Sequence, residues 1–190
     1  MSTNIIGGCD QNDWPVEIID ASPCSIYPML FRVTGSALVT GVSLTFKDFH
    51  HDFPPDVACI LTKYDPVSRT YKNGYVFKNA MQAGRGRTYT FTVSSSSTVL
   101  MPKNIAFTSW PAGPWKPSPY FNSIGNNFTL DNVDVGFEIP IPPSALVNTK
   151  IGFGDFIGII SGGCWALWLT DFATLDGGTI GEVTLNVTTT

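Results

Sequence analysis

The pattern of this chain predicts an all-β fold, and three observations lead there. Short apolar runs with a two-residue alternation recur along most of its 190 residues. Turn formers punctuate them: 18 glycines and 14 prolines are scattered through the chain, as many short strands joined by tight turns require. No segment carries a sustained 3.6-residue apolar period, so long helices are not expected. A β-sandwich forming one domain suits this length. With 43% hydrophobic and 14% charged residues, the core can be full and the surface lightly charged.

Residues 1–25 differ in texture. They hold four of the 15 acidic residues (Asp10, Asp13, Glu17, Asp20) together with Pro15 and Pro23, and only 16–20 reads as extended. Two readings stand side by side: an N-terminal arm with an edge strand of the same domain, or an arm that reaches a neighbouring subunit. Residues 26–190 then form the sandwich.

The strands follow in order. MLFRVTG (29–35) precedes ALVTGVSLTFKDF (37–49), where Val39, Val42, Leu44, Phe46 and Phe49 supply an apolar face and Gly41 suits a bulge. VACILTKY (57–64) is apolar on both alternating faces, as in a strand covered on both sides. Asn73-Gly74 is a hairpin signal, so 73–77 should close a hairpin with the strand before it. Then come RTYTFTVS (87–94) and STVLM (97–101). At the end of the chain Trp165, Leu167 and Leu169 alternate with Ala166, Trp168 and Thr170. Asp171 ends that strand, and Asp176, Gly177 and Gly178 make a turn. Ile180, Val183, Leu185 and Val187 resume the extended pattern, so 163–187 is expected to be two strands folded on each other.

Between them, 102–149 is irregular. WPAGPWKPSPYF (110–121) interleaves prolines with aromatics. Proline cannot donate to a sheet ladder, so this is expected to be a rigid surface loop. Its aromatic surface is either a binding face, with Trp110, Trp115, Tyr120 and, from the arm, Trp14 as partner-binding candidates, or a cap on the end of the sandwich.

Charge and cysteine usage narrow the function classes. The net charge is −4, and the 11 Lys and Arg residues are dispersed, which argues against nucleic-acid binding. No apolar run has the length of a membrane span. The N-terminus lacks the charged and apolar regions of a secretory signal. Cys9, Cys24, Cys59 and Cys164 match no zinc or redox spacing. Cys59 and Cys164 read as buried thiols, while Cys9 and Cys24 could pair in an oxidising setting.

The end of the chain resembles the closing hairpin of the P-domain that follows the catalytic domain of kexin-like and subtilisin-like proteases. A second block agrees. In 42–66, His51, Phe53, Pro54, Asp56 and Val57 fill the family's His-x-aromatic-Pro-x-Asp-apolar turn in order, and Pro66 falls near the end of the next strand. Residues 88–118 are similar to the family's strand before a proline-bearing loop, and GDFIG (154–158) to its short turn before the last hairpin. The resemblance covers about 29–187 and implies a jelly-roll-like β-sandwich in which His51, Pro54 and Trp165 are fold-defining. There are departures. Ala58 stands where the family has a second acidic residue, Val93 and Ser94 replace its strand aspartates, and 1–25 has no counterpart.

P-domains can bind calcium through aspartates, so the resemblance makes Asp56, Asp171 and Asp176 the candidate metal ligands. Aspartates at strand ends also cap turns through their own backbone bonds, and that reading stays open. His50 and His51 are the only histidines. No nucleophile elbow accompanies them, and no third ligand is spaced for zinc. His51 reads as a structural hydrogen-bonder that fixes Asp56 or a backbone carbonyl. No catalytic residue and no cofactor are expected, calcium excepted. The expected function is a structural or interaction protein, a building block or decoration of a viral or phage particle. Its partners would be proteins, in a homo-oligomer or larger assembly, with neither nucleic acid nor membrane bound. The alternative is a secreted, protease-associated binding module, calcium-stabilised, that recognises a protein or glycan.

Overall fold

The computed structural model describes residues 2–6, 13–81, 87–103, 112–120 and 150–190, and pairs their strands into two sheets. Numbered along the chain, the first sheet holds β1 (Ser2–Ile6), β2 (Val16–Ile18), β4 (Val39–His51), β7 (Thr88–Ser94), β11 (Gly178–Ile180) and β12 (Glu182–Thr189). The second holds β3 (Met29–Val33), β5 (Val57–Asp65), β6 (Thr70–Lys78), β8 (Ser118–Pro119), β9 (Lys150–Ile151) and β10 (Gly163–Asp171). All pairs are antiparallel except β8 and β9, which run parallel to β6. No α-helix occurs among the described residues. The protein is an all-β sandwich.

Register follows the apolar alternation. Val187, Leu185 and Val183 of β12 lie opposite Val42, Leu44 and Phe46 of β4, and Phe46 lies opposite Phe91 of β7. In the second sheet Leu167 faces Leu61, and Trp165 faces Phe31. A slip of one residue would turn each of these sets away from the core. Rings join the sheets: Phe46, stacked on Phe91 of its own sheet at 5.0 Å, meets Phe77 of the second sheet edge-on at 5.4 Å. Trp165 is 0% exposed and donates its indole N–H to the Ser161 carbonyl at 3.0 Å.

The two sheets differ in what covers them. The second is buried on both faces: Ala58, Ile60, Tyr75, Ala166 and Trp168 form a second apolar cluster behind it, with Tyr27, Leu30 and Phe172 packed on. That is why 57–61 reads as a continuous apolar run. The outer face of the first sheet carries Ser43, Thr45, Thr92, Thr184, Asn186 and Thr188, all outside the buried class. Thr45 and Thr92 bond hydroxyl to hydroxyl across β4 and β7 at 2.9 Å.

Several sequence expectations need correction. The two strands within 163–187 exist, but they do not fold on each other. β10 pairs with β3 and β5 in the second sheet, whereas β11 and β12 pair in the first, so 172–177 crosses between sheets. Asn73-Gly74 is not a turn. It lies inside β6, whose hairpin with β5 turns at 66–69 around Asp65, which accepts the Val67 and Ser68 backbone N–H groups. Gly74 is needed for closeness instead, because a Cβ there would lie 1.9 Å from the Gly152 carbonyl oxygen. Residues 97–101 form no strand beyond one bridge, Leu100 to Lys116. The edge strand expected within 1–25 does form. β2 pairs with β11, and Val16 and Ile18 are core residues. Cys24 and Cys59 are buried free thiols and Cys164 is half-buried, while Cys9 lies outside the described residues.

Trp165→Ala is expected to cost about 3–5 kcal/mol, the range for a large core aromatic. Urea unfolding checks this, and a loss below roughly 1 kcal/mol would show that Trp165 does not anchor the core.

Candidate functional site

Three loops meet at one end of the sandwich. β4 ends at His51 and passes through a single 3-10 turn, Pro54–Asp56, into β5. Pro54 and Pro55 open that turn and are buried. β10 ends at Asp171 and leads through 172–177 to β11. The segment after β2 lies alongside both. The Asp171 N–H donates to the Ser22 carbonyl at 3.1 Å, and the Ala21 N–H to the Ala173 carbonyl at 3.1 Å. The Phe172 N–H donates to the Asp56 carbonyl and the Asp52 N–H to the Gly177 carbonyl, both at 3.1 Å. Gly178 permits this approach, since a Cβ there would sit 2.0 Å from the His50 carbonyl oxygen.

Inside this junction His51 and Asp171 are fully buried side chains 3.2 Å apart, Nε2 to Oδ2. The Phe53 N–H donates to His51 Nδ1 at 3.1 Å, which leaves the ring proton on Nε2, pointed at Asp171. Asp171 Oδ1 accepts from the Ala173 N–H at 3.0 Å. Asp176 brings Oδ1 to 3.8 Å from the same His51 nitrogen, and that oxygen is buried with no hydrogen-bond partner. His51, Asp171 and Asp176 thus gather one potential ligand atom each within 4.8 Å.

The carboxylates feel one another. Burial, and then the Asp176 and Asp171 charges, push Asp56 up from 3.8 to about 6, against the pull of His51. Burial also raises Asp176; His51 opposes this, while Asp171, Asp20 and Asp52 add to it.

Of the three aspartates singled out in the sequence, Asp171 and Asp176 gather with His51, while Asp56 is tied to them through its carbonyl, which accepts from the Phe172 N–H, and through its charge. His51 bonds Asp171, not Asp56 or a backbone carbonyl as expected, because the crossover at 172–177 carries the end of β10 to the end of β4. Asp20 and Asp52 were not singled out for this site. Their part in it depends on a segment and a loop remote in sequence from Asp176. With its proton on Nε2, His51 is a hydrogen-bond donor and not a ligand. A cation here would meet carboxylate oxygens, among them the unpartnered Oδ1 of Asp176, and this donor chemistry fits a hard divalent ion rather than zinc.

The aromatic candidates are dispersed. Trp115 is 8% exposed and belongs to the core, bridging to Val93 beside β7. Trp14 and Tyr120 are half-buried and pack against the core, with the Tyr120 hydroxyl donating to the Met101 carbonyl. Trp110 lies outside the described residues.

No protein-family model and no curated protein matches the chain. Two solved structures match over 98% of it: the Aeromonas sobria serine protease in complex with the chaperone, at 14% identity and a TM-score of 0.43, and the serine protease of Aeromonas sobria, at 12% and 0.42. The chain spans about a quarter of the length of these chains, 26% of each.

The raised carboxyl of Asp56 sets a pH dependence. Above about 6 it is ionised in the folded chain at a cost; between there and 3.8 the folded chain holds a proton that the unfolded chain lacks. Its contribution to stability therefore rises as pH falls through this window. Urea titrations at pH 7 and pH 5 are expected to show that increment, and Asp56→Asn should remove it. An equal increment in the Asn variant would place the titrating group elsewhere.

Proposed function

We propose that the chain is a non-catalytic structural or interaction protein with a P-domain-like sandwich, a building block or decoration of a viral or phage particle. The sealed His51–Asp171 pair carries the non-catalytic reading. Its ring is 0% exposed and both nitrogens are engaged, so it offers no edge to a substrate that needs a general base. The surface supports contact rather than chemistry. The first sheet shows a face rich in hydroxyl and amide side chains, with the Lys47–Glu182 ion pair at one end, and β1 pairs with β12 along that sheet's edge in a five-residue register, Ser2 to Ile6 against Thr188 to Thr184. The same edge suits the N-terminal strand of a neighbouring copy, which is how such arms link subunits.

A second reading, a calcium-stabilised protease-associated module, is favoured by the orphan Oδ1 of Asp176. Asp56, Asp171 and Asp176 would hold the ion, whose charge would offset the mutual repulsion of the carboxylates.

Three experiments separate these readings. Peptide mass spectrometry of purified particles, set against the secreted and cytosolic fractions, should find the chain enriched in particles, and deletion of residues 1–12, which spares β2, should leave a folded monomer that no longer assembles. Presence in the soluble secreted fraction alone would sink the particle reading. For the second reading, millimolar calcium should raise the melting temperature by at least about 2–4 °C, the shift that about 1 kcal/mol gives in a chain of this size, and Asp176→Asn should abolish it. A melting temperature indifferent to calcium would dismiss the ion.

A further inference from the structure

The hydroxyl face of the first sheet runs into a cavity of about 350 Å³, framed by Thr40, Ser43, Ser94, Ser95, Ser96 and Thr188, with Gly41 on its floor and Ile157 on its wall. Ligand pockets start at about 300 Å³, so this one takes a small molecule or the end of a chain. Six of its nine lining residues carry hydroxyls, and none of the nine is ionisable.

The floor is open because Gly41 has no side chain. A Cβ there would stand 3.5 Å from Ser95 Oγ and 3.5 Å from the Thr188 side chain, in ordinary contact. Part of the hydroxyl set is held in place. Ser95 Oγ accepts from the Val42 N–H at 3.0 Å, the Ser95 N–H donates to the Val42 carbonyl at 2.9 Å, and the Ser94 and Ser96 hydroxyls lie 2.9 Å apart in a hydrogen bond. The Ser94–Ser97 turn is thereby tied to β4, and the Thr40, Ser43 and Thr188 hydroxyls complete the lining. Ile157, 45% exposed, adds an apolar surface beside them.

The chemistry of the lining selects its ligand. With no charged group in the cavity, nothing offsets the desolvation of an ion. Nor is there a free strand edge for an extended peptide, since Ser43 is paired on both sides, with Asn186 of β12 and Ser94 of β7. What remains is a set of hydroxyls, each a donor and an acceptor, beside one aliphatic surface. That combination matches a saccharide ring, which has hydroxyls around its edge and C–H groups on its faces. The geometry points to a binding site for a neutral glycan, with Ser43, Ser95 and Thr188 as hydrogen-bonding residues and Ile157 as the stacking surface. This deepens the interaction reading by naming a class of partner for the exposed sheet face.

The test uses the full chain on an array of neutral oligosaccharides built from glucose, galactose, mannose and N-acetylhexosamines, with sialylated and sulfated glycans on the same slide. The strongest neutral binder is then titrated by calorimetry against the unaltered chain, against the Ser43→Ala/Thr188→Val double variant, which removes two hydroxyls with little change of shape, and against Gly41→Ala, which narrows the floor without backbone strain. The expected result is saturable binding of a neutral glycan, weakened about tenfold or more in both variants at unchanged melting temperature. Should the double variant fail to fold, Gly41→Ala reads the same site. Three results would overturn the inference: no neutral glycan bound, a preference for charged glycans, or full affinity in a folded variant. Particle enrichment is measured separately, so a chain enriched in particles that binds no neutral glycan overturns this inference alone.

Discussion

Asp171 is a carboxylate with no access to water, and the end of the molecule is organised around satisfying it. A buried carboxylate is tolerated only when its oxygens are hydrogen-bonded. One oxygen takes the His51 ring proton and the other the Ala173 N–H. The ring can donate that way because the Phe53 N–H occupies its other nitrogen. Since His51 ends β4 and Asp171 ends β10, this one contact couples the two sheets. The turn at Pro54–Asp56 and the crossover at 172–177 have to approach closely enough to make it. Gly178, with no room for a Cβ, belongs to the same requirement.

The sheets meet solvent on unequal terms. The second is covered by apolar residues on both faces. The first presents hydroxyl and amide side chains outward and keeps its apolar residues inward. Away from the Lys47–Glu182 ion pair this face is uncharged and hydrogen-bonding, so there it can contact another molecule without the desolvation cost that a charged surface carries. The acidic junction is different in character. Its carboxylates repel one another, and one oxygen lacks a partner, so it holds unfavourable electrostatic energy that a proton or a cation would relieve.

The site was legible in parts. Asp56, Asp171 and Asp176 were each visible as aspartates at strand ends, and the resemblance around His51 and Pro54 marked the turn between β4 and β5. The pairing of His51 with Asp171 was not visible, because the two residues are 120 positions apart and only the crossover brings them together. The serine run at 94–97 carries no local signal of a site. Its role in shaping a cavity arises from the bonds that tie it to Val42, and from the missing side chain of Gly41 in the neighbouring strand.

Sequence alone located most of the longer strands, since the alternation of apolar residues is local and has a period of two, but it did not show β1 and it placed a strand at 97–101 where none forms. It determined which strand is covered on both faces, since a run without alternation needs two apolar environments. It could not determine partners. Strands 163–171 and 178–187 carry all the local signals of a hairpin, yet each pairs with distant strands in a different sheet. Asn73-Gly74 carries a turn signal, yet it serves the close approach of Gly152. The reason is the same in both cases. Turn residues state what the backbone is able to do, while the burial of two apolar faces against each other selects what it does. That selection is made by contacts between residues far apart in the chain.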